Sequence, residues 1–226
     1  LAIAREIGNR QHETLPLANL GFVAAVQGDY AGARSYYEQC LDIVCEIGHR
    51  ELEGYVLTGL GDALMGLGKL AEALVLLRQA ISVRRELGHQ ALLMESQATL
   101  ARAYLAQGDP ATSPSASSGQ VSGQTGQALT QAQAQVEEIL AYLDAGGNLD
   151  GTEQPLRIYL TCYQVLQASG DSRAAGVLQS AHAALQEQAA RIPDEDTRRS
   201  FLENVPWHRE IVAAWQAAQH DNEEKE

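Results

Sequence analysis

The sequence REIGNRQHE at residues 5–13 returns twice along the chain with small changes. It recurs as CEIGHRELE at residues 45–53 and as RELGHQALL at residues 85–93, so the three copies lie 40 residues apart. Self-similarity at a fixed period of about 20 to 50 residues is typical of chains built from stacked copies of one supersecondary unit. The sequence therefore predicts a repeat architecture.

The same period appears outside this phrase. Two series of identical residues keep it: Leu20, Leu60 and Leu100, and Gly28, Gly68 and Gly108. Glycine directly after an apolar run is typical of a helix C-terminus, where a left-handed residue ends the helix. Asp29 and Asp109 follow two of these glycines, and each is expected to cap the next helix. Each unit is thus predicted to be two antiparallel helices of about 16 to 18 residues.

This pattern resembles the tetratricopeptide repeat. The signature positions of that repeat carry Leu20, Gly21, Ala24, Gly28, Tyr30, Ala33, Tyr37 and Cys40 in the first unit, and Leu60, Gly61, Leu64, Gly68, Leu70, Ala73, Leu77 and Ala80 in the second. The 40-residue variant is similar to the arrays of kinesin light chains, of bacterial signalling ATPases and of maltose-regulator-like activators. The resemblance implies an all-α fold: a right-handed α-solenoid of antiparallel helix pairs with a C-terminal capping helix.

The repeats are expected to occupy residues 1–200. The predicted parts are a partial helix at 1–8, units at about 10–48, 50–88, 90–145 and 153–192, a capping helix at 201–220 and an acidic tail at 221–226. The apolar face of the cap carries Phe201, Val205, Trp207, Ile211, Val212 and Trp215. A solenoid needs such a segment, because its last unit has no neighbour to cover its apolar side.

The third unit is predicted to contain an insertion at residues 110–128. This segment is rich in Ser, Gly, Pro and Thr, a composition that buries too little apolar surface to order a chain. Two interpretations stay open. It is a tolerated loop at a helix–helix turn, because lengthening a loop costs little, or it is a docking or modification loop with the phosphoacceptors Ser113, Ser115, Ser117 and Ser118.

Charge and cysteine content narrow the class of partner. The 226 residues carry a net charge of −13, which disfavours nucleic acid and anionic membranes as partners of this region. The three cysteines, Cys40, Cys45 and Cys162, show neither disulfide nor metal-ligand spacing. A reducing compartment fits them, and we expect a cytoplasmic location.

Because the chain does not begin with Met, we interpret it as the C-terminal repeat region of a larger bacterial signalling or transcription-regulating protein.

Catalytic motifs are missing from the sequence. It has no phosphate-binding loop, dinucleotide fingerprint, nucleophile elbow or HExxH zinc motif. His49 and His89 occupy the same junction position of successive units, which favours a structural role at a helix end. We therefore expect a protein that is not an enzyme, with no catalytic residue, metal site or cofactor.

The family resemblance also implies where a partner binds. The first helices of the units line a concave groove, and the inward positions proposed to contact a partner are Leu15, Asn19, Phe22, Val26, Tyr55, Thr58, Asp62, Met65, Glu95, Arg102, Leu105, Arg157 and Gln164. The lining lacks the dense Lys, Arg and Asn clamp of chaperone-binding repeats. The expected partner is a protein or peptide, or another domain of the same full-length chain, with Phe22, Tyr55 and Met65 as apolar anchors.

Two other functions remain open. One alternative is a sensor that binds a small molecule or short peptide in the groove. The other is a scaffold that associates with further copies of itself. A monomer or weak homodimer is expected.

Overall fold

The computed structural model describes residues 10–109 and 118–223. These residues form ten helices and no strand. The helices are α1 Gln11–Val26, α2 Tyr30–Ile47, α3 Arg50–Gly66, α4 Leu70–Leu87, α5 Gln90–Gly108, α6 Ser118–Asp144, α7 Pro155–Ala168, α8 Ala174–Ala190, α9 Glu195–Glu203 and α10 Pro206–Glu223. The partial helix expected at 1–8, the serines 113, 115 and 117, and the end of the tail at 224–226 lie outside the described residues.

Consecutive helices pair and then stack. Four pairs form the units: α1 with α2, α3 with α4, α5 with α6, and α7 with α8. The first helices also contact one another in order, α1 with α3, α3 with α5, and α5 with α7. The predicted all-α solenoid is confirmed, and its first helices form one continuous inner layer.

The helix ends follow the predicted turn chemistry in the first two units. Gly48 and Gly88 end α2 and α4 with φ values of 69° and 74°, in the left-handed region that glycine adopts without strain. The Asp29 side chain caps α2 by accepting a hydrogen bond from the Gly32 amide at 2.9 Å, as predicted. The expectation for Asp109 stays a prediction, because the residues that directly follow it lie outside the described part of the chain.

The repeated phrase marks the junction between units. Arg10 pairs with Glu46, and one unit later Arg50 Nη2 lies 2.8 Å from Glu86 Oε2. The His49 ring also caps α3, because its Nδ1 accepts a hydrogen bond from the Leu52 amide at 3.4 Å. Both ion pairs are exposed and therefore contribute little to stability. Their recurrence shows that successive junctions have the same geometry.

Glycines allow close helix packing within the first two units. A Cβ atom added at Gly21 would lie 2.7 Å from the Tyr37 ring, and one added at Gly61 would lie 2.6 Å from Leu77 Cγ. Tyr37 and Leu77 are both fully buried. Each glycine therefore makes space for a large side chain of the paired helix.

The insertion differs from the prediction. Helix α6 begins at Ser118, inside the segment 110–128 that was expected to precede it. The first well-packed turns lie against the end of α5, since Thr125 Oγ1 donates to the Gly108 carbonyl at 2.9 Å and Ala128 is buried. These contacts compensate for the weak helix propensity of the Gly-rich sequence.

The C-terminal cap consists of two helices instead of the single helix predicted at 201–220. Helix α9 is capped by Asp194, whose carboxylate accepts a hydrogen bond from the Thr197 amide at 2.7 Å. Pro206 starts α10 because it has no amide hydrogen to continue the preceding helix. Ile211 of α10 is buried against Leu160 and Leu185 of the last unit. Helix α10 also includes residues 221–223 of the predicted tail.

Bilayer crossing can be judged from the length and hydropathy of these helices. Across residues 10–109 and 118–223, none is both long and apolar enough to span a membrane.

The close approach at Gly61 predicts a large effect for one methyl group. Gly61→Ala is expected to lower the free energy of unfolding by about 1 to 3 kcal/mol, because the new Cβ collides with Leu77. Gly176→Ala in α8 is the matched control, since a Cβ there meets no atom within 4 Å. That control is expected to be neutral or to stabilise by up to about 1 kcal/mol. Urea denaturation measures both, and equal effects would contradict the packing described here.

Candidate functional site

The inner layer of first helices encloses a cavity. Side chains of α1, α3, α5 and α7 line a space with a volume of about 170 Å³. A second cavity of about 270 Å³ adjoins it and shares Arg102, Arg157 and Trp207 with it. We call the two cavities together the channel.

Eleven of the thirteen groove residues predicted from the sequence line the channel. The first cavity contains Phe22, Val26, Tyr55, Thr58, Asp62, Glu95, Arg102 and Arg157, and the second adds Met65, Leu105 and Gln164. Their location is thus established, whereas their role in binding stays a prediction.

Leu15 and Asn19 lie outside the channel lining and are exposed. Their counterparts one unit later, Tyr55 and Gly59, do line it. The difference has a geometric reason. Helix α3 is flanked by α1 and α5, whereas α1 has a first-helix neighbour on only one side among the described residues.

An ion triad lies at the centre of the channel. Arg102 Nη2 donates to Asp62 Oδ1, and Arg157 Nη1 donates to Asp62 Oδ2 at 2.8 Å. Arg157 Nη1 also donates to Gln154 Oε1 at 2.9 Å. The three charged side chains are only 22 % (Asp62), 16 % (Arg102) and 26 % (Arg157) exposed. One carboxylate therefore bridges two guanidinium groups in a largely desolvated place.

The triad fixes the charge of Asp62. Burial alone would raise the pKa of this carboxyl, but the charges and hydrogen bonds of Arg102 and Arg157 outweigh burial and lower its pKa to about 2. Burial lowers the pKa of Arg102, and the charge of Asp62 opposes that shift. Asp62 is therefore ionised at neutral pH.

The C-terminal cap contributes an aromatic wall to the channel. The Trp207 ring of α10 lies over the Arg157 guanidinium, with 5.2 Å between the ring centroid and Cζ. Trp207 was predicted only on the apolar face of the cap, so its place in the channel was not predicted from the sequence. Its position beside Pro206, at the first turn of a helix, was the available signal.

A second charged group lies deeper in the same cavity. Arg84 is 2 % exposed and its Nη1 lies 3.2 Å from Glu95 Oε2. Among the described residues, Arg84 Nε and Nη2 have no hydrogen-bond partner. The Glu153 amide donates to Glu95 Oε1 at 3.0 Å, and burial raises the pKa of the Glu153 carboxyl. Sequence reasoning missed Arg84 and Glu153 because it assigned the groove to first helices alone.

Gly54 explains how Arg84 fits. A Cβ atom at residue 54 would lie 3.0 Å from Arg84 Cγ, so glycine gives the arginine stem more space than any other residue would. Tyr37 and Tyr55 form the adjacent wall, with their rings in an edge-to-face arrangement 6.5 Å apart. The channel thus combines aromatic walls with three arginines and four carboxylates, of which Glu210 lies in the second cavity.

The chemistry open to this site is recognition by charge, hydrogen bonding and apolar contact. No cluster of three or more metal-ligating side chains occurs in the portion of the chain that the structure describes. Cys40 and Cys162 are buried, which raises the pKa of their thiols to about 11 and about 12, so both are neutral at pH 7.

The depressed pKa of Asp62 predicts a pH-dependent stability. A carboxyl with a lower pKa in the folded state stabilises the fold above its unfolded pKa, and this contribution is lost as the pH falls through about 2. Asp62→Asn is therefore expected to cost about 2 kcal/mol at pH 7 and roughly half of that at pH 3.

Urea denaturation from pH 7 to pH 3 measures the effect of Asp62→Asn. Glu137→Gln is the control, because it removes one carboxylate from an exposed ion pair with Arg173 and is expected to change stability little. A cost for Asp62→Asn that is independent of pH would contradict the triad.

Comparison with known families agrees with this geometry. One model described as tetratricopeptide repeat matches residues 12–86, and a second matches residues 94–113. Comparison with curated proteins gives no match. The matched residues run from α1 to just past the end of α5 and include the first three copies of the inner helix. Residues 12–86 and 94–113 therefore match tetratricopeptide repeats, which generally indicate a protein–protein interaction module.

Proposed function

We propose that this chain is a non-catalytic interaction and regulatory module that binds a peptide or partner domain in the channel. The observation that carries the proposal is the convergence of inner-face side chains from four helix pairs on one space. Repeat solenoids use their concave surfaces in this way. A lining of aromatic walls with a few fixed polar groups is typical of ligand sites.

The two parts of the lining have different tasks. Phe22, Val26 and Met65 offer apolar contact to side chains of an extended or helical segment. Asp62, held by two arginines, offers a fixed polar group that sets the orientation of that segment. Apolar contact supplies affinity, and the polar group supplies specificity.

The biological setting is part of the proposal. The 40-residue repeat resembles arrays of bacterial signalling ATPases and maltose-regulator-like activators, which supports a regulatory role within a larger cytoplasmic protein. Under this proposal the partner is another protein or another domain of the same full-length chain. The net charge of −13 argues against nucleic acid and anionic membranes as ligands of this region.

A second candidate function is supported by how closed the channel is. Trp207 from the cap and Glu153 and Gln154 from the connector before α7 line its first cavity, whose volume is about 170 Å³. Drug-sized ligand pockets have volumes of about 300 to 1,000 Å³, so this space fits one side chain or a small molecule. A sensor of a small molecule or short peptide would be stabilised by its ligand.

Selection of peptides from a random library tests the proposed function. Selected peptides are expected to lose at least about tenfold in affinity for Phe22→Ala and for Arg157→Gln, because truncation of a hot-spot side chain costs about 2 kcal/mol or more. The matched controls are Val75→Ala and Arg173→Gln, which remove an exposed apolar and an exposed cationic side chain outside the channel. Isothermal calorimetry gives the affinities.

Peptides that bind the two channel variants as tightly as the wild type would contradict a binding site in the channel. Binding that is instead lost in Val75→Ala or Arg173→Gln would place the site on the outer surface.

A further inference from the structure

We propose that the inner end of the first cavity, between Arg84, Glu95 and Glu153, binds a neutral primary carboxamide of the ligand. Asn and Gln side chains end in this group, and so do small amides. The inference rests on the proposed function and specifies the ligand chemistry of the same channel. It assigns recognition to Arg84 of the second helix α4 and to Glu153 of the connector before α7.

Unused donors on Arg84 are the first observation. Arg84 Nη1 donates to the Leu92 carbonyl and lies 3.2 Å from Glu95 Oε2. Arg84 Nε and Nη2 are buried and have no hydrogen-bond partner in the part of the chain that the structure describes. A buried donor without an acceptor is costly and rare in folded proteins. Because these two nitrogens share one edge of the planar guanidinium, a single oxygen with two lone pairs can accept from both.

Nearby acceptors are the second observation. Glu95 Oε1 accepts a hydrogen bond from the Glu153 amide at 3.0 Å, so Arg84 and Glu153 both lie against Glu95. Burial lowers the pKa of Arg84 and raises the pKa of Glu153, and the charge of each opposes the shift of the other. Among the described residues, the ion pair of Arg84 is with Glu95 and not with Glu153. A donor group and an acceptor group therefore line one cavity without bonding each other.

A carboxamide matches these groups in number. Its oxygen has two lone pairs for the two free donors of Arg84, and its nitrogen has two N–H donors for the carboxylates of Glu153 and Glu95. A carboxylate only accepts and an ammonium group only donates, so each would leave one side unsatisfied. A hydroxyl offers one donor to two carboxylates.

The charge of the first cavity also favours a neutral group. Its lining contains equal numbers of cationic and anionic side chains: Arg84, Arg102, Arg157, Asp62, Glu95 and Glu153. An ion that enters a balanced and poorly solvated site finds no counter-ion, which is costly. A carboxamide adds hydrogen bonds without adding charge.

The unmet hydrogen-bonding capacity of the channel is concentrated at this end. Across the described residues, the buried side-chain atoms without a partner are Arg84 Nε, Arg84 Nη2 and Gln97 Oε1, and Gln97 does not line the channel. Three threonine hydroxyls of the first cavity are used within their own helices, since Thr58, Thr99 and Thr161 each donate to the carbonyl oxygen four residues earlier.

Entry of the carboxamide depends on the connector. Arg84 is 2 % exposed, so the ligand group must insert between Arg84 and Glu153 to reach the free donors. Glu153 lies in the segment between α6 and α7 and not on a helix. Connecting segments move more readily than the helices that they join.

Replacement of the carboxamide in a bound peptide tests the inference. Peptides selected against the 226-residue chain are expected to contain one Gln or Asn that cannot be replaced. Its exchange for the isosteric acid, Glu or Asp, or for the apolar Met or Leu is expected to lower affinity at least about tenfold, because the buried groups then stay unpaired. Isothermal calorimetry gives the affinities, and a smaller loss would overturn the inference.

Substitutions in the protein assign the effect to this end of the cavity. Arg84→Met and Glu153→Ala are each expected to weaken the selected peptide at least about tenfold. In both variants the apolar replacement in the peptide is expected to cost little more, because the two changes remove the same interaction. A tenfold cost of that replacement that persists in Arg84→Met would overturn the inference.

The matched controls are Arg85→Met and Glu137→Ala. They remove an exposed arginine and an exposed glutamate outside the channel, each from a surface ion pair. Both are expected to leave the affinity and the cost of the peptide replacement unchanged. Circular dichroism monitors folding. If Arg84→Met is unfolded, Glu153→Ala carries the test, and a peptide that still depends on its carboxamide in that variant would overturn the inference.

Further outcomes separate the sources of the carboxamide and the failure of the two proposals. Stronger binding of N-acetyl-glutamine N-methylamide than of propionamide supports a peptide side chain, and the reverse supports a free small amide. Selected peptides that are sensitive to Phe22→Ala but contain no Asn or Gln would overturn this inference while the proposed function stands. Selected peptides that avoid the channel would overturn the proposed function and this inference with it.

Discussion

The structure depends on how closely two helices approach within one unit. Gly21 faces the Tyr37 ring and Gly61 faces Leu77, in each case with less space than a methyl group needs. The two contacts are 40 residues apart and have the same form. Because each pair is held at the same separation, successive pairs stack as equivalent copies, and their first helices come to lie side by side. The part of the channel lining that the first helices supply follows from this arrangement.

The 40-residue repeat places equivalent positions of successive units side by side, and their side chains line the channel. Phe22, Asp62 and Arg102 occupy the same position of three successive units, 40 residues apart, and all three line one cavity. The ion pair between Asp62 and Arg102 is thus a contact between equivalent positions of neighbouring units. The side chain at such a position changes what the channel recognises, and the helix packing on the other face is unaffected. This separation lets one fold serve many partners.

The sequence could predict the features that the 40-residue period determines, namely the helix ends and the inner-face positions. It could not predict the features that depend on contacts between residues far apart in the chain. The Gly turns gave the helix ends, and the register put Phe22, Tyr55 and Arg102 on the inner face. The bond between Asp62 and Arg157 joins residues 95 apart, so it depends on how the fourth unit docks after a long insertion. The contribution of Trp207 depends on how the cap folds back.

The start of α6 and the burial of Arg84 could not be predicted from the sequence either, because both depend on contacts between helices. Composition argued against helix at 118–128, but packing of Thr125 and Ala128 on the end of α5 outweighs local propensity. Arg84 lies on a second helix, and its stem passes Gly54, where a Cβ would lie 3.0 Å from Arg84 Cγ.

The most direct measurement is a double-mutant cycle between Asp62→Asn and Arg157→Gln, with unfolding free energies measured at pH 7. The account predicts a coupling of about 1 to 3 kcal/mol between these two residues, as found for charges in one network. Additive effects would mean that the fourth unit does not meet the second across the channel.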